Sequence, residues 1–339
     1  MSLPAAVNVM RPLPCFLMLL VVATLPLAAT ARDAQPLATP DPATIVYPAG
    51  APPTAAEIAL GKTLFFDTRL SRNRTQSCAT CHNPALGFGD GVALGKGAEG
   101  NRLGRNTPPL YNLAWNPTFF HDGRSPSLEA QALNPIESDQ EMNIPLDLLI
   151  ERLSAVDWYR QQFHAIYGSE QITPAMIGSA LASFERTLVS RNSPFDRYLG
   201  GDETAMSESA KRGLKIFKGA AWCSSCHDGA NFTDNGFHNI GVKTTDPGRG
   251  RFAPDQPRMQ GAFKTPGLRN VELTAPYMHD GSQRTLEDVM QFYNRGGDDR
   301  KRRDPLIREL DLSKQDIADL VAFMKALTDP VVVEVPEIP

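Results

Sequence analysis

The chain has 339 residues, of which 42% are hydrophobic and 21% charged. These are globular proportions that exclude a disordered or wholly membrane-embedded chain, and the length suits two compact domains. A formal net charge of −4 argues against nucleic acid as a partner.

In chain order, Arg11 precedes the apolar run PCFLMLLVVATLPLAA, which closes on the small-residue pattern Ala29-Thr30-Ala31. Residues 1–31 therefore read as a secretory signal peptide. An uncleaved anchor would need a longer uninterrupted apolar run than Pro12, Pro14 and Pro26 leave. Cleavage removes Arg11 and Cys15, leaving 33 basic against 38 acidic residues and a net charge of −5. Residues 32–53 are Pro/Ala-rich and read as an extended segment or linker.

A helix is predicted from Thr54, where AAEIALGKTLFF spaces Ile58, Leu60, Leu64 and Phe65 with helical recurrence. Thr173-Pro174 supplies an N-cap and first-turn proline for a second helix. Ser313 with Asp316 resembles a capping box ahead of a stripe of Ile317, Leu320, Val321 and Met324. No comparable run of alternating strands appears, so the expected fold class is mostly α.

The four cysteines of the processed chain are Cys78, Cys81, Cys223 and Cys226, all within CATCH (78–82) and CSSCH (223–227). In an exported protein a CxxC pair can be a disulfide, a redox dithiol or half of a zinc site. The histidine next in sequence both times points instead to haem c, whose vinyl groups take the two thiols while the imidazole takes the iron. Two covalent haems are thus expected, with His82 and His227 as proximal ligands. Haem c is attached outside the bacterial cytoplasm, so the periplasm is the expected location.

An internal repeat lies downstream of the two motifs. TPPLYNLAWNPTFFHDGRSPSLEAQ (107–131) and TPGLRNVELTAPYMHDGSQRTLEDV (265–289) share Thr-Pro, Asn, His-Asp-Gly and Leu-Glu at matching spacing. Two tandem cytochrome c-like haem domains are expected, 54–195 and 196–330, with a tail at 331–339.

From about Leu60 to Leu327 the order LGKTLFFDTRLS, CATCH, RNTPPLYN, HDGR, SFERTLVSRNSPFDRYL, CSSCH, TPGLRNV, TAPYMHDGS and TLEDVMQFYNRGG resembles the bacterial di-haem cytochrome c peroxidase and MauG superfamily. The resemblance implies that the first haem reacts with H2O2 and the second handles electrons. It places the distal glutamine at Gln131 and the distal glutamate at Glu141, which a partly desolvated site would suit to proton transfer. Many of the peroxidases carry a further histidine that blocks the first haem until the second is reduced; NPALGFGDGVALGKGAEGNRLGR contains none. At the second haem the alignment offers Tyr293 as the remaining ligand, with Met290 or Met278 as alternatives and core packing the plainer role for Met290. A phenolate would lower the iron's potential and a thioether raise it. A calcium ion between the haems is implied at Asn106, Thr274 and Pro276.

One departure stands out: the family's inter-haem tryptophan is His121 here, with Trp115 six residues earlier as a possible substitute. His279 matches an inter-haem position, and His164 and His238 read as structural. The leading expectation is a cytochrome-c peroxidase; the alternatives are a MauG-like oxidant of a partner protein and a non-enzymatic di-haem carrier. The implied partners are H2O2 and either a small donor, a c-type cytochrome or cupredoxin, or an oxidised protein. Homodimerisation stays open.

Overall fold

The computed structural model describes residues 1–2, 34–48 and 50–339. The signal peptide read at 1–31, with Cys15, lies outside the described residues except for its first two. Among the described residues ten α-helices form: α1 Ala55–Phe66, α2 Cys78–Cys81, α3 Leu128–Glu137, α4 Leu146–Ser154, α5 Asp157–Tyr167, α6 Pro174–Glu185, α7 Pro194–Leu199, α8 Glu208–Lys218, α9 Leu286–Asn294 and α10 Lys314–Lys325. The sheet is a single antiparallel pair, β1 Phe237–His238 with β2 Phe263–Lys264, in which Phe237 faces Lys264. None of these helices is long and apolar enough to cross a membrane.

The helix starts follow the caps expected from sequence. Thr54 accepts a hydrogen bond from Glu57 N, Thr173 accepts one from Met176 N ahead of Pro174, and Ser313 and Asp316 close a reciprocal capping box. Each cap satisfies backbone donors that the first helical turn leaves unpaired.

Two hydrophobic cores result, one built from residues between Leu60 and Leu188 and the other from residues between Phe195 and Leu327. Each is organised by one close helix pair, α1 with α6 and α8 with α10. The crossings depend on glycine, because a Cβ on Gly61 would stand 1.8 Å from Ala180 O and one on Gly213 would stand 2.0 Å from Asp319 O. Phe65 and Phe217 then occupy corresponding buried positions four residues on. The chain folds as two tandem haem domains of mostly helical structure, as expected.

The sequence repeat persists in the backbone. Asn112 and Asn270 are left-handed with φ 57° and 59°, as are Phe120 and Met278 with 68° and 73°. The bridges Phe119 to Ser125 and Tyr277 to Gln283 recur at the same positions.

The termini each cross to the opposite core. In the lead, Leu37 packs on the second core, Gln35 N donates to Asp228 Oδ2 at 2.6 Å, and Thr39 Oγ1 donates to Asp196 Oδ1 at 2.9 Å. At the other end Val331 and Val333 pack on the first core, and Arg69 donates to Pro339 O. The lead is docked, and it includes a 3-10 turn at Pro42–Thr44.

Candidate active site

A cavity of about 1000 Å³ runs past both CxxCH motifs. The first motif sits on the single turn of α2 and the second on a 3-10 turn, Cys223–Ser225. In both, the histidine N–H closes the turn by donating to the first cysteine's carbonyl, at 2.8 Å for His82 and 2.9 Å for His227.

Each ring is then fixed from behind. His82 Nδ1 lies 3.0 Å from Phe88 O, and His227 Nδ1 lies 3.0 Å from Phe232 O. Phe88 and Phe232 are held in the left-handed region at φ 60° and 56°, in the turn that brings these carbonyls to the rings. A carbonyl can only accept, so Nδ1 carries the proton and Nε2 keeps its lone pair for a metal. Burial holds both imidazoles below their ordinary pKa, which keeps them neutral.

The cysteines are free and half-buried, two beside each histidine. Burial pushes the Cys81 thiol up to about 11 and Cys223 to about 12, with Cys78 raised further. Paired free thiols next to a neutral imidazole on a cavity wall fit a covalently attached haem at each motif.

Beyond His82, α3 brings Gln131 to the cavity and the turn after it brings Glu141. Glu141 is held by its backbone, N donating to Ser138 O at 3.0 Å and O accepting from Ala98 N at 2.7 Å. Burial raises its carboxyl pKa against the opposing influence of Arg124 and Ser138. Sequence reasoning paired these two residues, and the structure brings both to the cavity that His82 lines.

Beyond His227, α9 presents Met290 and Tyr293. Met290 is part of the second core. Tyr293 lines the cavity, and its hydroxyl has no hydrogen bond to the protein among the described residues; burial raises its phenol pKa, with Cys223 and Cys226 adding to the effect. Met278 also lines the cavity. The repeat sets Pro135 of α3 at the position of Tyr293, so the first half has a residue without any donor or ligand side chain there.

The cavity is also lined by Asn106, Thr274 and Pro276. His121 Nε2 lies 2.9 Å from Asn106 O, and Asn106 N donates to His279 O at 2.8 Å. One asparagine backbone thus ties together the two repeat-related histidines. Burial pushes His121 down to about 4 and also lowers His279, whose ring stacks on Phe263 at 3.8 Å. His279 Nε2 is buried without a partner.

Trp115 lies elsewhere: its indole N–H donates to Thr44 Oγ1 at 2.8 Å, in a surface recess apart from the large cavity. His238 is clamped by Asp234 at 3.0 Å and Asp304 at 2.7 Å, whose hydrogen bonds push it up to about 12. That cluster includes Cys226 and could in principle hold a metal, but Cys226 belongs to the second CxxCH motif. His164 is exposed beside Glu170 at 3.2 Å.

Three residues missed by sequence reasoning bear on the cavity. Arg105 joins the halves through Asp122 at 2.6 Å and Asp246 at 2.7 Å. Lys264 lines the wall with burial pushing it down to about 8. Glu185, on α6, is buried with Oε2 unpartnered. Glu185 had one available signal, a carboxylate four residues after Leu181 on the apolar face of SALASFERTL.

Two neutral, carbonyl-braced histidines with paired thiols on one cavity fit a protein built around two c-type haems. Residues 55–204 match the family described as di-haem cytochrome c peroxidase, and residues 210–328 match cytochrome c. The chain is 46% identical to the methylamine utilization protein MauG of Methylorubrum extorquens, over 88% of this chain and 86% of that one. It is 35% identical to the cytochrome c551 peroxidase of Nitrosomonas europaea, covering 81% of each. Among solved structures, a MauG-like protein associated with microbial copper homeostasis superposes with a TM-score of 0.79 at 32% identity, covering 88% of this chain and 94% of that chain. The chain belongs to the di-haem cytochrome c peroxidase and MauG family and is a haem oxidoreductase.

Proposed function

We propose that this protein is a periplasmic oxidoreductase that reacts with H2O2 at the His82 haem in the fully oxidised state and draws its electrons through the His227 haem, in the manner of the MauG branch. The observation that carries the reading is the contrast between the halves: Pro135 stands where Tyr293 stands, and residues 83–105 hold no histidine. Gln131 and Glu141 line the cavity that His82 also lines and would serve a haem held there, while Tyr293 would supply a ligand to the haem held by His227. The relative named cytochrome c551 peroxidase supports peroxide as the oxidant.

When bound, haem c supplies the redox-active iron at which the peroxide O–O bond breaks. Glu141 accepts the proton of incoming H2O2 and returns it to the departing oxygen, which its raised carboxyl pKa suits at neutral pH. Gln131 orients the peroxide by its side-chain amide. Phe88 O and Phe232 O hold the two imidazoles in the ligating tautomer.

Calcium is proposed at Asn106, Thr274 and Pro276. The Asn106 amide nitrogen donates to Val92 O at 2.9 Å, which leaves Oδ1 as a hard acceptor, and the carbonyls of Thr274 and Pro276 would add further oxygens. The electrons come from side chains of a partner protein. A second reading, a small c-type cytochrome or cupredoxin as donor, is favoured by His121 standing where the family has tryptophan. The domain division at 195/196 is proposed on the same repeat.

The resting ferric protein is expected to give one high-spin and one low-spin EPR signal, and Tyr293→Phe to alter only the low-spin one. Two low-spin signals would favour a carrier, and an unaltered spectrum in Tyr293→Phe would move the ligand to Met278 or Met290.

A further inference from the structure

Glu185 sits at the end of α6 with 5% of its surface exposed, on the cavity wall, and its Oε2 has no hydrogen-bond partner. An unpaired carboxylate in such a place is costly, so the group is held as the neutral acid. Burial pushes its pKa up to about 8, partly offset by Arg186 and reinforced by Glu129. Cys78 of the first motif is close enough to feel its charge.

The second half has a different residue at this position. Phe184 corresponds to Phe323 and Leu188 to Leu327, all buried, so Glu185 corresponds to Met324. Met324 is also buried and lines the same cavity. The acid is present beside the first motif and absent beside the second.

One residue on, Arg186 Nη1 pairs with Glu129 Oε1 at 2.7 Å, their side chains 10% and 25% exposed. Both line the surface recess that also holds Trp115. The end of α6 therefore puts a titratable group on each, Glu185 on the large cavity and Arg186 on the recess, and the two spaces adjoin at Leu113, Asn116 and Phe119. The other charged groups on the packed elements are Glu137 of α3 and Glu57 and Lys62 of α1; Glu57 is engaged by Ser179 Oγ at 2.7 Å.

We propose that Glu185 is a proton reservoir for the first haem site, filled from solvent through the Glu129–Arg186 recess and emptied into the cavity during peroxide reduction. It rests on the function proposed above. Each H2O2 takes two electrons from the partner protein and two protons, breaks its O–O bond and leaves as two waters. Glu185 gives one of those protons and becomes carboxylate; the second proton, and the one that recharges Glu185, come from bulk solvent, balanced by the two protons that oxidation of the partner's side chains releases. Its part is to supply protons to the cavity that Glu141 also lines, and it is not a contact of the peroxide.

The test is the reduction potential of the first haem in the haem-loaded protein, titrated against pH without peroxide. An added electron raises the proton affinity of a nearby carboxyl, so reduction takes up a proton near the Glu185 pKa, and the potential falls as pH rises through about 8. Glu185→Gln is expected to abolish that alkaline slope, Glu185→Asp to retain it at a displaced pH, and Glu141→Gln to keep it. A wild-type potential flat through this range, or a slope unchanged in Glu185→Gln, overturns the proposal. Because no peroxide is used, an intact slope in a protein inert to H2O2 would contradict the proposed function and leave the reservoir standing.

Discussion

Glu141→Gln is expected to slow the reaction with H2O2 by about 10²- to 10⁴-fold, the usual contribution of a positioned proton-transfer group, with both haems retained. Glutamine keeps the shape of the side chain and its hydrogen-bonding reach but cannot take a proton from peroxide. The pH profile carries the same information. Burial raises the Glu141 carboxyl pKa, so its basic form is lost as pH falls through a value above the ordinary carboxylate range. The wild-type rate should therefore decline on the acid side earlier than an exposed glutamate would dictate, and Glu141→Gln should lack that limb. Stopped-flow rates across pH read both effects, and an unchanged rate constant would remove Glu141 from proton transfer.

Arg269→Met is expected to cost about 3–5 kcal/mol of stability, the range for breaking a buried ion pair from one side. Arg269 donates to Asp196 at 2.8 and 3.0 Å, and the two side chains are 2% and 4% exposed. Methionine fills much of the volume but leaves Asp196 charged and buried. Arg269 also donates to Ala230 O at 2.8 Å and to Ala38 O at 3.0 Å, so its loss unhooks the lead segment from the second core. Against a typical total of about 5–15 kcal/mol this is a large share.

The sign of its pH dependence is fixed by Asp196. Burial acts to raise that carboxyl, yet the Arg269 and Ser193 hydrogen bonds hold it below its ordinary value. A depressed carboxylate contributes stability that is present above the unfolded value, about 3.9, and is lost as pH falls through the folded one. Denaturant titrations of wild type and variant should converge in acid. A difference below about 1 kcal/mol at neutral pH would mean that the pair contributes little.

Residues whose meaning lies in local spacing could be read from the chain alone. CxxCH declares its own geometry, because two thiols and an imidazole within five residues can face one cofactor. Thr54, Thr173 and Ser313 announced their helices through capping chemistry, and the repeat announced two similar cores. Gln131 and Glu141 were legible through the family resemblance, and the structure brings both to the cavity.

The features that stayed hidden depend on contacts between distant segments. Nothing in a Pro/Ala-rich stretch shows that Leu37 will dock on the second core, or that Val331 and Val333 will return to the first. Trp115 is close to His121 in sequence, but its indole turns outward to Thr44. Glu185 appears as one charge in an amphipathic helix until the fold turns it onto the wall of a buried cavity. The joining of His121 and His279 through the Asn106 backbone likewise exists only after the halves meet.

The most direct test is to mix the fully oxidised, haem-loaded protein with H2O2 in a stopped-flow spectrometer, with no reductant present. A prompt spectral change involving both haems is expected, since on the proposed reading Pro135 and the histidine-free segment would leave the first haem open and Tyr293 would close the second. A protein that stays silent until one haem has been reduced would contradict this account, because it would mean that the first haem is blocked at rest.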